Sequence, residues 1–272
     1  MKKLYIGLTA MLLSAVLFSC KKNGIQVIDQ PISLTDFAQI KYFNFAVGLT
    51  VPSVNFYAND AKVTGTVSLT GAESTTGTAT GGVYPASGYT ALPGGSYVFK
   101  AQIPTTATTD ANLAIATTPS TVLANNKFYS LYTSGIYNTG TKMAEAFVIE
   151  DVLPAYDPNV ANIRLVNTIS NAPQAFDFYV KNTTITGSTE VKIASAVAYK
   201  TGSAFVAVPV GNYELYVRYP SSATTNVISR TGSTVVSLNG GKVYTLATRG
   251  DMAVSATGTA ANRPQIDFTA NR

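Results

Sequence analysis

The chain has 272 residues, and its 19 lysine and arginine residues against 14 acidic residues give a net charge of +5 at pH 7. It contains no histidine and one cysteine, so the sequence excludes a Ser-His-Asp triad, a zinc site that uses histidine and haem ligation by histidine. Charged residues make up only 12% of the chain without a dense run of lysine and arginine, which argues against nucleic acid as a partner.

The first twenty residues have the pattern of a targeting signal. Two lysines precede an apolar run from Leu4 to Phe18, which is too short to span a bilayer comfortably. Ser19 and the only cysteine, Cys20, follow in an arrangement that resembles the lipobox of bacterial lipoproteins. The sequence therefore predicts a lipoprotein signal peptide over residues 1–19, acylation of Cys20, and a lipidated N-terminus and tether over residues 20–37. An ordinary secretory signal followed by a chance cysteine is the alternative interpretation.

The residues after Cys20 bear on location. The sequence Lys21-Lys22-Asn23-Gly24 has neither the aspartate associated with inner-membrane retention nor the acidic run associated with surface export in lipoproteins of the Bacteroidetes type. We therefore expect a lipid anchor in the outer membrane of such a bacterium. Display on the periplasmic face and display on the cell surface both remain open.

The composition beyond the signal favours β-strands. Thr, Val, Ala, Ser, Tyr and Gly are abundant, and long stretches of helix-favouring residues are almost absent. The clearest example is the segment 213–219, in which Tyr213, Leu215 and Val217 share one face and polar residues alternate with them. This alternation predicts a half-buried strand.

An internal repeat organises the rest of the chain. Matching segments recur in the same order at offsets of 122, 116 and 115 residues, so each copy is about one domain long. The matching pairs are residues 54–60 with 176–182, 89–97 with 205–213, and 127–131 with 242–246.

Short, regularly spaced strands and turn signals predict an all-β fold with two tandem immunoglobulin-like antiparallel β-sandwich domains after the N-terminal signal peptide. The first sandwich covers residues 38–150, and the second covers residues 161–272. Pro154 and Pro158 interrupt the pattern between them, which predicts a linker over residues 151–160.

The second copy resembles the domain of unknown function (DUF) 4397 family over most of residues 161–250. The first copy follows the pattern more loosely, with Asn55 at the position of Asp177 and a Thr/Gly-rich insertion from Thr64 to Gly82. The resemblance implies an extracytoplasmic β-sandwich module with no established activity. The segments that carry it are Ile163-Arg164-Leu165-Val166-Asn167, Asn171-Ala172-Pro173, Phe176-Asp177-Phe178-Tyr179-Val180, Tyr199, Val208-Pro209-Val210-Gly211-Asn212-Tyr213 and Gly241-Lys242-Val243-Tyr244-Thr245.

Acidic residues are the remaining candidates for chemistry, because the sequence has no dinucleotide-binding, Walker or EF-hand pattern. Asp151 and Asp157 could bind a cation or a substrate, but solvated linker charge and Asp-Pro turn chemistry are the favoured interpretation. Asp177 is expected to bond loop amides at the start of a strand rather than to act in acid-base catalysis. No catalytic, cofactor-binding or metal-binding residue is predicted.

Tyr129 and Tyr244 occupy matching positions in the two copies. Each lies early in a late strand, where its hydroxyl is expected to reach back to loop backbone like the tyrosine corner of sandwich domains. Stacking on a ligand is the alternative.

These observations predict a lipid-anchored protein of the cell envelope with a non-catalytic binding, adhesion or structural role. The expected partners are the membrane, through the lipid anchor, and an envelope protein or a glycan. A glycan-binding accessory lipoprotein is the alternative, weakened by the absence of tryptophan for sugar stacking. A carboxylate-dependent glycoside hydrolase is the less favoured third class.

Overall fold

The computed structural model describes residues 34–65, 75–222 and 224–272. The predicted signal peptide and the acylation of Cys20 lie outside the described residues. The described part of the chain is all-β, which confirms the predicted fold class; its helices are two short 3₁₀ turns, Leu34–Asp36 and Gly232–Thr234. None of these helices has the length and apolar character needed to cross a bilayer.

Eleven strands of the described residues lie before the predicted linker and form the N-terminal sandwich. They are β1 (Phe37–Asn44), β2 (Asn55–Ala58), β3 (Ala61–Lys62), β4 (Val83–Tyr84), β5 (Thr90–Pro93), β6 (Gly95–Tyr97), β7 (Phe99–Gln102), β8 (Ala114–Thr117), β9 (Thr121–Leu123), β10 (Phe128–Asn138) and β11 (Met143–Glu150). One sheet has the order β11-β10-β1 with β4 and β5 paired to β1, and the other has the order β3-β2-β7-β8. Strands β6 and β9 form a separate pair.

Nine described strands follow and form the C-terminal sandwich. They are β12 (Val160–Asn167), β13 (Phe176–Asn182), β14 (Val191–Val197), β15 (Val206–Pro209), β16 (Gly211–Arg218), β17 (Asn226–Arg230), β18 (Val236–Leu238), β19 (Val243–Arg249) and β20 (Gln265–Ala270). One sheet has the order β15-β12-β19-β20, and the other has the order β14-β13-β16-β17 with β18 paired to β16. Strand β16 contains the alternating segment that the sequence indicates, with Tyr213, Leu215 and Val217 in the core.

The two sandwiches repeat one strand arrangement. In each, the first strand pairs in parallel with a strand about eighty to ninety residues later, β1 with β10 and β12 with β19, and the other neighbours are antiparallel. Each sandwich also has its own apolar core between its two sheets. The parallel pair adds one feature to the predicted antiparallel sandwich: the first strand lies beside a late strand of the same sheet.

Strands β1, β10, β12 and β19 are buried along almost their whole length. A sandwich strand normally buries alternate residues, so continuous burial means that both of its faces are covered. The second cover comes from the other sandwich, since residues Leu34–Arg272 form one compact unit and a third apolar cluster joins the sheets. This interface cluster consists of Phe43, Phe45, Tyr132, Phe147, Val166 and Ala247.

Candidate functional site

A group of polar side chains, all buried except the half-buried Tyr89, lies beside the interface cluster, between the two sandwiches. Four of them alternate with core residues on β1, β10, β12 and β19, so they point away from their own core and toward the other sandwich. Three more lie outside the strands. We call this group the central polar cluster; it consists of Lys41, Tyr89, Ser130, Asp151, Arg164, Thr245 and Asn271.

Asp151 is the centre of this cluster. Its Oδ1 accepts a charge-assisted hydrogen bond from the Nη2 of Arg164. Its Oδ2 accepts hydrogen bonds from the hydroxyls of Ser130 at 2.7 Å and Tyr89 at 2.8 Å, and from the Nδ2 of Asn271 at 3.4 Å. The carboxylate is thus shared by groups from both sandwiches, and a buried charge is tolerated because it is paired and fully hydrogen-bonded.

This placement corrects the interpretation of Asp151 as a solvated linker charge. The side chain is 0% exposed, and that of Arg164 is 3% exposed. Strand β11 ends at Glu150, as the prolines of the following segment indicate. The side chain of the next residue, Asp151, nevertheless points into the interface between the two sandwiches. Asp157 behaves as the turn chemistry indicates, because its exposed carboxylate accepts hydrogen bonds from the backbone N–H and Nδ2 of Asn159 at 2.9 and 3.0 Å.

The strand registers explain why the cluster is nearly symmetric. Lys41 lies opposite Ser130 in the parallel pair of the N-terminal sandwich, and Arg164 lies opposite Thr245 in that of the C-terminal sandwich. A cation therefore lies opposite a hydroxyl in both copies. Within the described residues one acid serves the two cations, since Arg164 pairs with Asp151 and Lys41 donates from Nζ to the carbonyl oxygen of Ala270 at 2.6 Å.

The electrostatics of the cluster follow from burial. Desolvation, partly offset by the charge of Asp151, lowers the pKa of Lys41 to about 8. Burial and the neighbouring carboxylate raise the pKa of Tyr89, which stays a neutral hydrogen-bond donor. Burial lowers the pKa of Arg164, but Asp151 outweighs it and the net shift is upward. The guanidinium of Arg164 therefore keeps its charge although it is buried.

Neither the role of Lys41 nor the pairing of Arg164 with Asp151 is predicted from the sequence. A signal was present in the sequence: a single cation interrupts an apolar strand at the matching position of both copies. A cation at such a position normally faces solvent. In this protein each of the two cations is covered by the other sandwich.

Asp177 lies on β13, on the face opposite the core. Its Oδ1 accepts a hydrogen bond from the backbone N–H of Ala196 at 2.8 Å, and its Oδ2 pairs with the Nζ of Lys192 at 2.5 Å. Partial burial opposes ionisation, but these bonds lower the pKa of Asp177 overall. The carboxylate thus bonds the backbone of the neighbouring strand β14 and a lysine, and it is 5% exposed.

Next to Asp177, the same outer face carries Arg218 between two aromatic rings. The guanidinium carbon lies 4.5 Å from the ring centroid of Tyr179 and 5.5 Å from that of Tyr216. Its Nη2 also pairs with Glu190 at 2.6 Å. The charged side chains of this face are thus engaged in pairs between neighbouring parts of the sheet, and such pairs stabilise the sheet.

The structure places Tyr129 and Tyr244 in equivalent environments. The hydroxyl of Tyr129 accepts a hydrogen bond from the backbone N–H of Ala124 at 3.0 Å, and that of Tyr244 accepts one from Asn239 at 3.2 Å. In both cases the partner lies five residues earlier, in the loop before the strand. This is the geometry of a hydroxyl that fixes a loop to a sheet.

A second pair of tyrosines was missed as a hydrogen-bonding motif. The hydroxyl of Tyr97 donates to the carbonyl oxygen of Pro93 at 2.8 Å, and that of Tyr213 donates to Pro209 at 2.7 Å. The repeated Pro-x-Gly-x-Tyr spacing was available as a signal, but by itself it indicates only a turn.

Replacing Tyr244 by phenylalanine is expected to lower the stability by about 1–2 kcal/mol, because the N–H of Asn239 loses its acceptor. For a chain of this size, that corresponds to a fall of roughly 2–8 °C in melting temperature. Thermal unfolding followed by circular dichroism measures the change. Tyr156→Phe is the control, since Tyr156 is 68% exposed. Equal melting temperatures for the two variants would contradict this role of Tyr244.

Within the described ranges, no group of three or more acidic, histidine or cysteine side chains is placed to hold a metal ion. Nine ion pairs of the described residues engage nine different acidic residues: Asp60, Asp110, Glu145, Glu150, Asp151, Asp177, Glu190, Glu214 and Asp267. The carboxylates of this chain are therefore used mainly as partners of lysine and arginine.

Comparison with known proteins gives a family for one part of the chain. No curated protein matches it. Among solved structures, the Bacillus anthracis TIE protein is similar at 12% identity and a TM-score of 0.23, over 78% of this chain and 33% of that one. The chain thus spans about a third of that structure, and the similarity is too low to assign a fold or a function. Residues 161–270, which form the C-terminal sandwich, match the family described as "Domain of unknown function (DUF4397)".

Proposed function

We propose that this protein is a lipid-anchored component of the bacterial cell envelope, in which two sandwich domains act together as a non-catalytic binding, adhesion or structural unit. The anchor is Cys20, which is acylated and becomes the first residue when residues 1–19 are removed. The N-terminal sandwich is a second, divergent copy of the DUF4397 domain. The outer membrane is the proposed location.

The observation that supports the joint role is the central polar cluster. Asp151 belongs to the N-terminal side of the chain, and its partners Arg164 and Asn271 belong to the C-terminal sandwich. Buried polar contacts of this kind favour one relative placement of two packed surfaces, because any other placement leaves a charge unpaired. Two domains held in this way present their outer loops in a fixed arrangement, which suits a binding or scaffolding role.

The shared strand order supports the proposal of two related domains. The parallel pairs also match residue by residue: Ile40 lies opposite Tyr129 as Ile163 lies opposite Tyr244. The use of nine acids in ion pairs weighs against the hydrolase alternative, which needs two carboxylates free to act on a glycosidic bond.

The anchor is tested by replacing Cys20 with alanine. We expect the wild-type protein in the outer-membrane fraction and in the detergent phase after phase separation, because several acyl chains hold a protein firmly at a bilayer. The Cys20→Ala variant should be absent from the outer-membrane fraction. Immunoblotting of the separated fractions measures the distribution, and Ser14→Ala, within the apolar run, is the matched control. A Cys20→Ala protein that stays in the outer-membrane fraction would overturn the proposed anchor.

The binding role is tested on intact cells by chemical cross-linking, with the wild-type and the Cys20→Ala protein compared. Recovery of the same envelope component only with the anchored protein supports the proposal. Absence of any cross-linked component while the protein is anchored would argue against it.

A further inference from the structure

A polar cleft of about 490 Å³ opens on the C-terminal sandwich, and no residue of the central polar cluster lines it. One wall is the end of β17 with the 3₁₀ turn that follows it, and the other is the loop that leads into β20 with the start of that strand. The lining combines two arginines with hydroxyl and amide groups. The polar side chains are Ser229, Arg230, Thr234, Thr257, Arg263, Gln265 and Asp267.

The two arginines of this cleft lack carboxylate partners within the described part of the chain. Arg230 donates from Nε to the carbonyl oxygen of Thr234 at 2.9 Å and from Nη1 to that of Ile266 at 3.2 Å. Arg263 donates from Nη1 to the carbonyl oxygen of Ala260 at 3.1 Å. These backbone bonds fix both guanidinium groups without placing a carboxylate in contact with either of them.

The one carboxylate in the lining does not neutralise them. Asp267 pairs with Arg249, whose Nε and Nη2 lie 2.7 and 3.3 Å from its two oxygens. The side chain of Arg249 is only 9% exposed, so Asp267 is bound to a buried arginine rather than to Arg230 or Arg263. Burial lowers the pKa of Arg230 and the charge of Asp267 partly offsets this, yet a guanidinium stays protonated at neutral pH. The cleft therefore has a net positive field.

We propose that this cleft binds an acidic saccharide, with a carboxylate or phosphate group of the sugar held between Arg230 and Arg263. Guanidinium groups recognise such oxyanions through paired N–H donors. The hydroxyls of Ser229, Thr234 and Thr257 are suited to sugar hydroxyls, and the volume is in the range of small-molecule sites. This site deepens the proposed binding role and rests on it, because it names the class of ligand that the envelope protein would hold.

The test measures binding to the purified full-length protein in a neutral detergent by isothermal titration calorimetry. The probes are trigalacturonate, glucose 6-phosphate, inorganic phosphate and the neutral sugar maltotriose. We expect saturable binding of at least one acidic sugar, little binding of maltotriose, and weaker binding as the salt concentration rises. Trigalacturonate binding alone identifies the anion as a carboxylate, and glucose 6-phosphate binding alone identifies it as a phosphate.

Two variants assign that binding to the cleft. Arg263→Gln, at a half-exposed side chain, should weaken binding at least tenfold, and Arg230→Gln should do the same if its melting temperature stays near that of the wild type. Lys242→Gln, on the exposed surface of the same sandwich, should change affinity less than twofold. Equal losses for Arg263→Gln and Lys242→Gln would show a general charge effect and overturn the proposal.

Two further outcomes would also overturn it: saturable binding of none of the probes, or binding of inorganic phosphate alone. None of these outcomes affects the Cys20 experiment, since anchoring is measured by fractionation and saccharide binding by titration in detergent. The two proposals can therefore fail separately.

Discussion

Replacing Asp151 by asparagine is expected to lower the free energy of unfolding by about 3–5 kcal/mol. The substitution leaves the guanidinium of Arg164 buried without a carboxylate, and removing one partner of a buried ion pair costs more than the pair contributes when intact. Urea unfolding at pH 7 measures the loss. Because the side chain joins the two sandwiches, we also expect the transition to become broader as the halves lose cooperativity.

Asp157→Asn is the matched control, since Asp157 lies six residues away and is exposed. Its change should remain within about 0.5 kcal/mol. The double variant Asp151→Asn with Arg164→Met should be more stable than Asp151→Asn alone, because the uncompensated cation is gone. An Asp151→Asn protein that unfolds at the same urea concentration as Asp157→Asn would refute the structural role of the cluster.

The second large effect is a dependence of stability on alkaline pH that comes from Lys41. Its pKa is about 8 in the folded protein and about 10.5 when unfolded, so the unfolded chain binds more protons between these values. Stability therefore rises as the pH increases from about 8 toward 10. Below pH 8 the lysine is charged in both states, and the cost of burying that charge is present in full. The change across the window is roughly 2–3 kcal/mol.

The measurement compares urea unfolding of the wild type and Lys41→Met at pH 7, 8, 9 and 10. The difference between the two proteins isolates Lys41, because tyrosines that titrate near pH 10 contribute to both. We expect Lys41→Met to lack the alkaline rise, and Lys242→Met to retain it. The same rise in Lys41→Met and the wild type would assign the effect to another group.

The alternation of apolar and polar residues and the internal repeat are sufficient to predict the fold class and strand β16. The segment 213–219 alternates with period two, and the structure buries the apolar side of it. The internal repeat also predicts the matching roles of Tyr129 and Tyr244. This is possible because the hydrogen bond from each hydroxyl to its loop joins residues only five positions apart. Local spacing was informative wherever both partners lie close in the sequence.

The central polar cluster could not be derived in the same way. Alternation along β1 and β12 tells which residues face the core, but it does not tell whether the other face meets water or a second sheet. Lys41 and Ala270 are separated by 229 residues, and Tyr89 and Asn271 by 182. Contacts over such distances depend on how two finished sandwiches pack. The interpretation of Asp151 as a solvated linker charge is wrong for this reason, since in a segment that contains Pro154 and Pro158 an aspartate is expected to be exposed.

The parallel pairing of each sandwich's first strand has a consequence for the order of folding. Strand β1 begins at Phe37 but finds its central partner only when β10, which begins at Phe128, is available. The N-terminal half then exposes Phe43, Tyr132 and Phe147 until Val166 and Ala247 arrive to cover them. Contacts between residues so distant in sequence form slowly, and uncovered apolar sheets are prone to aggregation. During folding of the nascent chain, self-association of the exposed N-terminal sandwich therefore competes with formation of the C-terminal sandwich that covers it.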